Sequence, residues 1–295
     1  MILLNYKLLF LISFFYLMAS RLNLSEYYVH QHHNIRHLLE QCKSHADAEM
    51  VHEFRLSIKK LRAFNELVRQ LCLNEMGGCI AIKNRARQLY KLAGQLRDTQ
   101  VQMHMLSMFE KQTNTLYPDF SRWLTKREKK RISRFSRKLQ NKIPRVTTGI
   151  TFKKIEHRLA QTDDTTMLDN AAKVLESMQL KALELINGDL YNQNLHRLRI
   201  IIKKMRNIFN IILHSYPDFH YHGKSVDSLL QIETSLGQWH DKLFRIELLG
   251  RFIKKIKPSD YSAMDKYQNL FKDCNSELEN AFTEATKITK RELNS

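Results

Sequence analysis

The sequence predicts an all-α protein made of two four-helix units packed together. Three observations predict it. An ordered set of cations occurs twice, at a spacing near half of the 295 residues. No segment sustains the period-2 alternation of a half-buried strand. All four prolines fall at the boundaries of helical stretches, where their missing N–H costs least.

The first cation set lies in Val51 to Leu71, VHEFRLSIKKLRAFNELVRQL. At 3.6 residues per turn, His52, Arg55, Lys59 and Arg62 fall within an arc of about 80°. Val51, Phe54, Ile58, Leu61 and Val68 gather on the other side, and Lys60 adds a fifth basic position. The spacing His-x-x-Arg-x-x-x-Lys-Lys-apolar-Arg returns as His196, Arg199, Lys203, Lys204 and Arg206. From 52 to 196 the offset is 144 residues. A second signature follows each set: Ala93 to Asp98 reads AGQLRD, and Leu236 to Asp241 reads LGQWHD. Their glycines, 94 and 237, are 143 apart, so the order and the offset of both signatures agree.

Each element follows from local pattern. A first helix is expected from about Leu22 to Lys43, with Leu24, Tyr28, Ile35, Leu38 and Leu39 as its apolar stripe. The first cationic helix runs from about Asp47 or Ala48 to Leu73, and Gly77-Gly78 breaks the chain. A third helix carries Arg85, Arg87, Lys91 and AGQLRD to about Asn114. Pro118 suits the first turn of a fourth, which holds the basic run Thr125 to Gln140. Pro144 and Gly149 mark the mid-chain connection, and 150–166 reads as irregular or partly helical. The second half repeats the plan: about Leu168 to Asn187 before Gly188, the second cationic helix before Pro217, a helix containing LGQWHD to about Lys255, and a last one opened by Pro258.

Residues 1–19 stand apart. The run from Leu8 to Ala19 is apolar except Ser13. It is short for a membrane span, has a thin positive flank for a signal peptide, and also fits an extension upstream of a start at Met18. The last reading is preferred, so 1–17 is expected to lie outside the packed fold. Export or membrane association stays open as the lesser alternative.

Composition narrows the partners. Lys and Arg number 48 against 30 Asp and Glu, a net charge of +18. Such a balance points to a polyanion: nucleic acid, anionic lipid or polymeric phosphate. Cys42, Cys72, Cys79 and Cys274 have no C-x-x-C spacing and do not match between halves, which favours a reducing compartment.

A row of cations on one helix is commonly plain solvated surface. Repetition of five basic positions in a second helix argues for a common ligand instead. Two such rows facing each other form a channel of like charge, costly unless an anion sits inside. Arg offers bidentate donors to phosphate and Lys a point charge. His52 and His196, beside several cations, are expected to be pushed towards neutrality. No metal-ligand spacing such as H-E-x-x-H is present, so neither a metal nor another cofactor is expected. Gly94 and Gly237 interrupt helical patterns, and a close helix–helix contact is the expected reason. Asp98 and Asp241 are candidates for orienting a cation of the rows; a plain surface pair with Arg97 is the competing reading.

At these residues the sequence resembles the CHAD family, the conserved histidine α-helical domain. The first half supplies His52, Arg55, Lys59, Arg62, Gly94, Arg97 and Asp98, and the second His196, Arg199, Lys203, Arg206, Gly237 and Asp241. The resemblance covers about 20–295, with repeats of about 20–145 and 165–295. It implies internal pseudo-twofold symmetry and a central basic groove that binds inorganic polyphosphate, and in some bacteria such proteins are associated with polyphosphate granules. Binding without catalysis, in the cytoplasm, is the expected function. Arg97 joins the expected binding residues on this ground. His240 stands where the first half has Arg97, and the second half lacks the Arg85, Arg87, Lys91 cluster. Two other classes compete. A nucleic-acid binder would interleave aromatics with its cations, and the rows hold few, mostly on the apolar side. A metal-dependent enzyme acting on phosphoanhydrides would need carboxylates or a nucleophile beside a base, which the rows lack. Neither specific nucleic-acid binding nor stable membrane insertion is expected.

Overall fold

The computed structural model describes residues 24–43, 47–71, 82–140, 146, 157, 161–188, 192–222, 224–257 and 259–294. The 1–17 extension, the Gly77-Gly78 break, Pro144, Gly149, most of 150–166, Pro258, Cys72 and Cys79 lie outside them. Among the described residues the elements are α1 (24–43), α2 (Ala48–Leu71), α3 (Asn84–Thr113), α4 (Pro118–Gln140), α5 (Asp164–Asn187), α6 (Asn192–Ser215), α7 (Val226–Ile253) and α8 (Tyr261–Asn294). The fold is all-α; Tyr221 and Lys224 form an isolated antiparallel bridge before α7.

Capping explains where helix starts differ from expectation. Asp163 accepts from the Thr166 amide at 2.8 Å, satisfying an orphan donor, so α5 opens four residues before Leu168. Asp260 accepts from the Ala263 amide at 3.1 Å, which starts α8 at Tyr261 and not at Pro258. Ser225 and Ser228 close a capping box at the head of α7. Asn114 ends α3 in the left-handed region at φ 50°, a conformation Asn tolerates. At the other end of the chain, Lys224 Nζ donates to the Glu292 and Leu293 carbonyls, taking up two unsatisfied acceptors of α8.

Two cores hold the helices. The larger is continuous across both halves and contains the predicted stripe of α1 with Val51, Phe54, Ile58 and Leu61 of α2 and Leu195, Leu198, Ile202 and Met205 of α6. The smaller joins the far ends of α3, α4, α7 and α8 through Phe109, Tyr117, Phe120, Leu248, Phe252 and Tyr267. There the Phe120 amide donates to the Tyr267 hydroxyl at 3.3 Å, so a buried phenol has a partner. Both free cysteines in the described residues are buried, and burial pushes the Cys42 thiol up to about 11, as expected of inert core thiols.

A cationic cleft between the halves

Burial of one face decides where the other points. Val51, Phe54, Ile58 and Leu61 are fully buried on α2, as are Leu195, Leu198, Ile202 and Met205 on α6. α2 and α6 pack against each other, so their remaining faces open onto one cleft of about 950 Å³. Arg55, Lys59 and Arg62 line it from α2, Arg199, Lys203 and Lys204 from α6, and Asp98, His240 and Asp241 from the motif helices. Across the halves, the buried Gln102 donates to the Asp241 carbonyl at 2.9 Å, tying α3 to α7 beside the two aspartates.

The other predicted residues sit around this cleft. His196 lines a neighbouring recess of about 500 Å³ with His240, the two rings 5.5 Å apart and stacked. His52 and Arg97 lie off the cleft wall and close enough to influence each other electrostatically. Lys60 is exposed, about 100° round α2 from Lys59. Arg206 turns to Glu233.

Electrostatics follow from crowding. Burial, and then the facing Lys203 with Arg55 and Arg199, pulls Lys59 down to about 8. Burial and then Arg199 bring Lys203 to about 8 as well, against the pull of Glu233. His52 and His196 are pushed towards neutral imidazole, as expected, though burial leads and the cations follow. Asp98 is raised by burial, despite the attraction of Arg55, His240 and Arg131. Among the described residues neither Asp98 nor Asp241 forms an ion pair with a row cation within 4.0 Å; any orienting of Arg55 or Arg199 acts at longer range.

Gly94 has a different reason from the expected helix–helix contact. A Cβ there would overlap the guanidinium of Arg55, so the missing side chain is room for a cleft arginine. At Gly237 nothing lies within 4 Å of the same position. Residues that pattern reading overlooked line the walls, as Tyr90 and Glu66 do, or hold their cations from behind, as Glu233 does. The Tyr90 ring lies under Arg62 at 4.3 Å and Arg55 at 5.3 Å. Glu233 pairs with Arg206 and, at 3.7 Å, with Lys203. Glu66 accepts from Lys204 and from Arg69, each at 2.9 Å; burial alone would raise this carboxyl, but those bonds hold it below its ordinary range. Tyr90 and Glu233 each precede the motif glycine by four residues, one turn on the same face, and that spacing is the signal that would have found them.

Comparison with known proteins agrees with this fold. The CHAD domain family model matches residues 30–250. No curated protein matches the chain. Among solved structures it is similar to the CHAD domain from the plant Ricinus communis: 14% identity over 90% of this chain and 91% of that one, with a TM-score of 0.60. It is also similar to PptA from Streptomyces chartreusis: 12% identity over 91% of this chain and 98% of that one, with a TM-score of 0.61. At such identities the likeness is one of fold. No helix among the described residues is long and apolar enough to cross a membrane.

Proposed function

The chain belongs to the CHAD domain family, and on that premise we propose that it binds inorganic polyphosphate in the cleft between α2 and α6, without altering it chemically. The observation that carries this reading is the meeting of Arg55, Lys59, Arg199 and Lys203 on one wall-to-wall cleft. Four cations so close repel one another, and the two lysines, lowered first by burial and then by these neighbours, express part of that cost. A flexible chain with about one charge per phosphate relieves it along the whole row. Affinity then comes from many contacts and from release of the polymer's condensed counterions, as it does for nucleic acids.

Two features support binding over the competing classes. Glu233 and Glu66 are already engaged by cations and the Asp241 carboxylate lies 3.4 Å from the His240 ring, which leaves Asp98 as the one cleft carboxylate without a partner among the described residues. Tyr90, the aromatic on the cleft wall, is covered by two guanidinia, so it is a poor platform for a base. The proposal puts the protein at polyphosphate stores in the cytoplasm. A competition assay tests it: long-chain polyphosphate against RNA at equal phosphate concentration, at two salt levels. Polyphosphate should displace RNA at both. RNA holding its place would turn the reading to nucleic acid, and shortening of the polymer on incubation would turn it to catalysis.

A further inference from the structure

A second cationic recess lies on the other side of α3. It measures about 340 Å³ and is lined by Arg127, Lys130, Arg131 and Arg134 of α4, Arg251 of α7 and Gln95 of α3. Gln95 and Thr99 stand about 100–140° round α3 from the Gly94 line that faces the cleft, so this is a separate opening. The four α4 residues have spacing i, i+3, i+4, i+7, one stripe of one helix.

The recess is charged and partly pre-shaped. Arg131 donates through Nη1 to the Gln95 carbonyl and to the Thr99 hydroxyl, which fixes its guanidinium. The Arg127 guanidinium lies over the Trp123 ring at 4.7 Å, while its Nε is buried without a partner. Lys130, Arg134 and Arg251 are exposed at the rim. Among the described residues none of the four α4 cations forms an ion pair, and Arg251 reaches only its own helix neighbour Glu247, at 3.7 Å. Glu128, the nearest acid in sequence, accepts from Gln100 instead. Burial and then Arg127 bring Arg131 down to about 10, with Arg134 and Arg251 adding to the effect against Asp98. Five cations around one small hollow, two of them fixed, is an arrangement that a dense anion would stabilise.

We propose that this recess is a second anion site that takes condensed phosphate, either as a free short oligomer or as a segment of a longer chain. The site stands whether or not the cleft binds the same ligand. Calorimetric titration with tripolyphosphate tests it on the full chain, comparing wild type with Lys130→Ala/Arg134→Ala and with Arg55→Ala/Arg199→Ala. Both rim residues are exposed, so the first variant should keep its thermal midpoint. Wild type should bind two equivalents, and the rim variant should lose one, or weaken it about tenfold or more. The cleft variant should retain the recess equivalent. Lys126→Ala/Lys129→Ala removes the same charge from other faces of α4 and should bind as wild type. Unchanged binding by the rim variant would overturn the site, and so would an equal loss in the Lys126/Lys129 control, which would mean diffuse attraction only. No effect of the cleft variant would instead count against the cleft. Long-chain polyphosphate separates the two sources. If one chain spans both sites, its affinity falls in the rim variant; if the recess takes short oligomers, only the stoichiometry of tripolyphosphate changes.

Discussion

The two cationic helices have the same spacing of basic residues and unlike surroundings. In the first half Arg62 and Arg55 lie over Tyr90, and Arg55 occupies the space left by Gly94. In the second, the position of Tyr90 is taken by Glu233, which neutralises Arg206 and Lys203, and the space at Gly237 is empty. Lys204 is paired with Glu66 of the first half. An aromatic ring positions a guanidinium while leaving its charge available; a carboxylate positions it by consuming the charge. So the first row offers positive charge to a ligand, and the second is partly compensated before any ligand arrives. The second helix keeps the spacing of the row and not its electrostatic worth.

The sharpest way to break this comparison is at the glycines. Gly94→Ala should displace the Arg55 guanidinium and weaken polyphosphate binding about ten- to hundredfold, the ~1–3 kcal/mol scale of a charge-assisted hydrogen bond. The displaced atoms end a flexible side chain, so the thermal midpoint should hold. Gly237→Ala should leave binding unchanged and gain up to ~1 kcal/mol of stability from helix propensity. Equal effects of the two in titrations and melts would erase the asymmetry.

The next effect is with pH. Lys59 and Lys203 ordinarily titrate at 10.5 and are held at about 8 here. Between those values the unfolded chain binds more protons than the ligand-free fold, so stability from these groups rises as pH climbs from 8 to 10.5. Binding needs their charge, so affinity should fall as pH rises through about 8, by about tenfold for each lysine between pH 7 and 9. Melts and titrations across that range should diverge in this way for wild type and flatten in Lys59→Met/Lys203→Met. A variant with the wild-type pH profile would clear these lysines of the effect.

A smaller change is expected at Glu233→Gln. It frees Lys203 and Arg206 from their acid and should raise affinity about three- to tenfold while lowering stability, since a half-buried pair loses one partner. The same change made in a Lys203→Met background should gain less. Smallest of all, Arg62→Ala should cost a few-fold in affinity, whereas Arg206→Ala, off the cleft wall, should act mainly on the melting temperature.

The fold was legible because its signals are local. Apolar stripes such as Leu24 to Leu39 and Phe54 to Leu61 are buried as their period requires, and the duplicated signature placed α2 and α6 as counterparts. The helix starts at Asp163 and Asp260 were missed because a cap sits outside the apolar periodicity. In the cleft, the cations were legible from spacing alone. Their partners were not: Glu66 reaches Lys204 across the two halves, and nothing in a linear pattern says which acid meets which cation. Gly94 was marked correctly as unusual, but its reason is a side chain from another helix. The α4 run was visible as charge, yet its gathering with Arg251 into one recess depends on how α7 packs beside it.

The central claim is that both rows bind one polyphosphate chain. Titration of wild type, Arg55→Ala, Arg199→Ala and the double variant with polyphosphates of defined length tests it most directly. Each single change should weaken binding by about 1–3 kcal/mol and the double by about their sum, if they meet separate phosphates. Affinity should rise with chain length until both rows are filled and fall with added salt, while orthophosphate competes poorly. A double variant that binds like wild type would contradict the account.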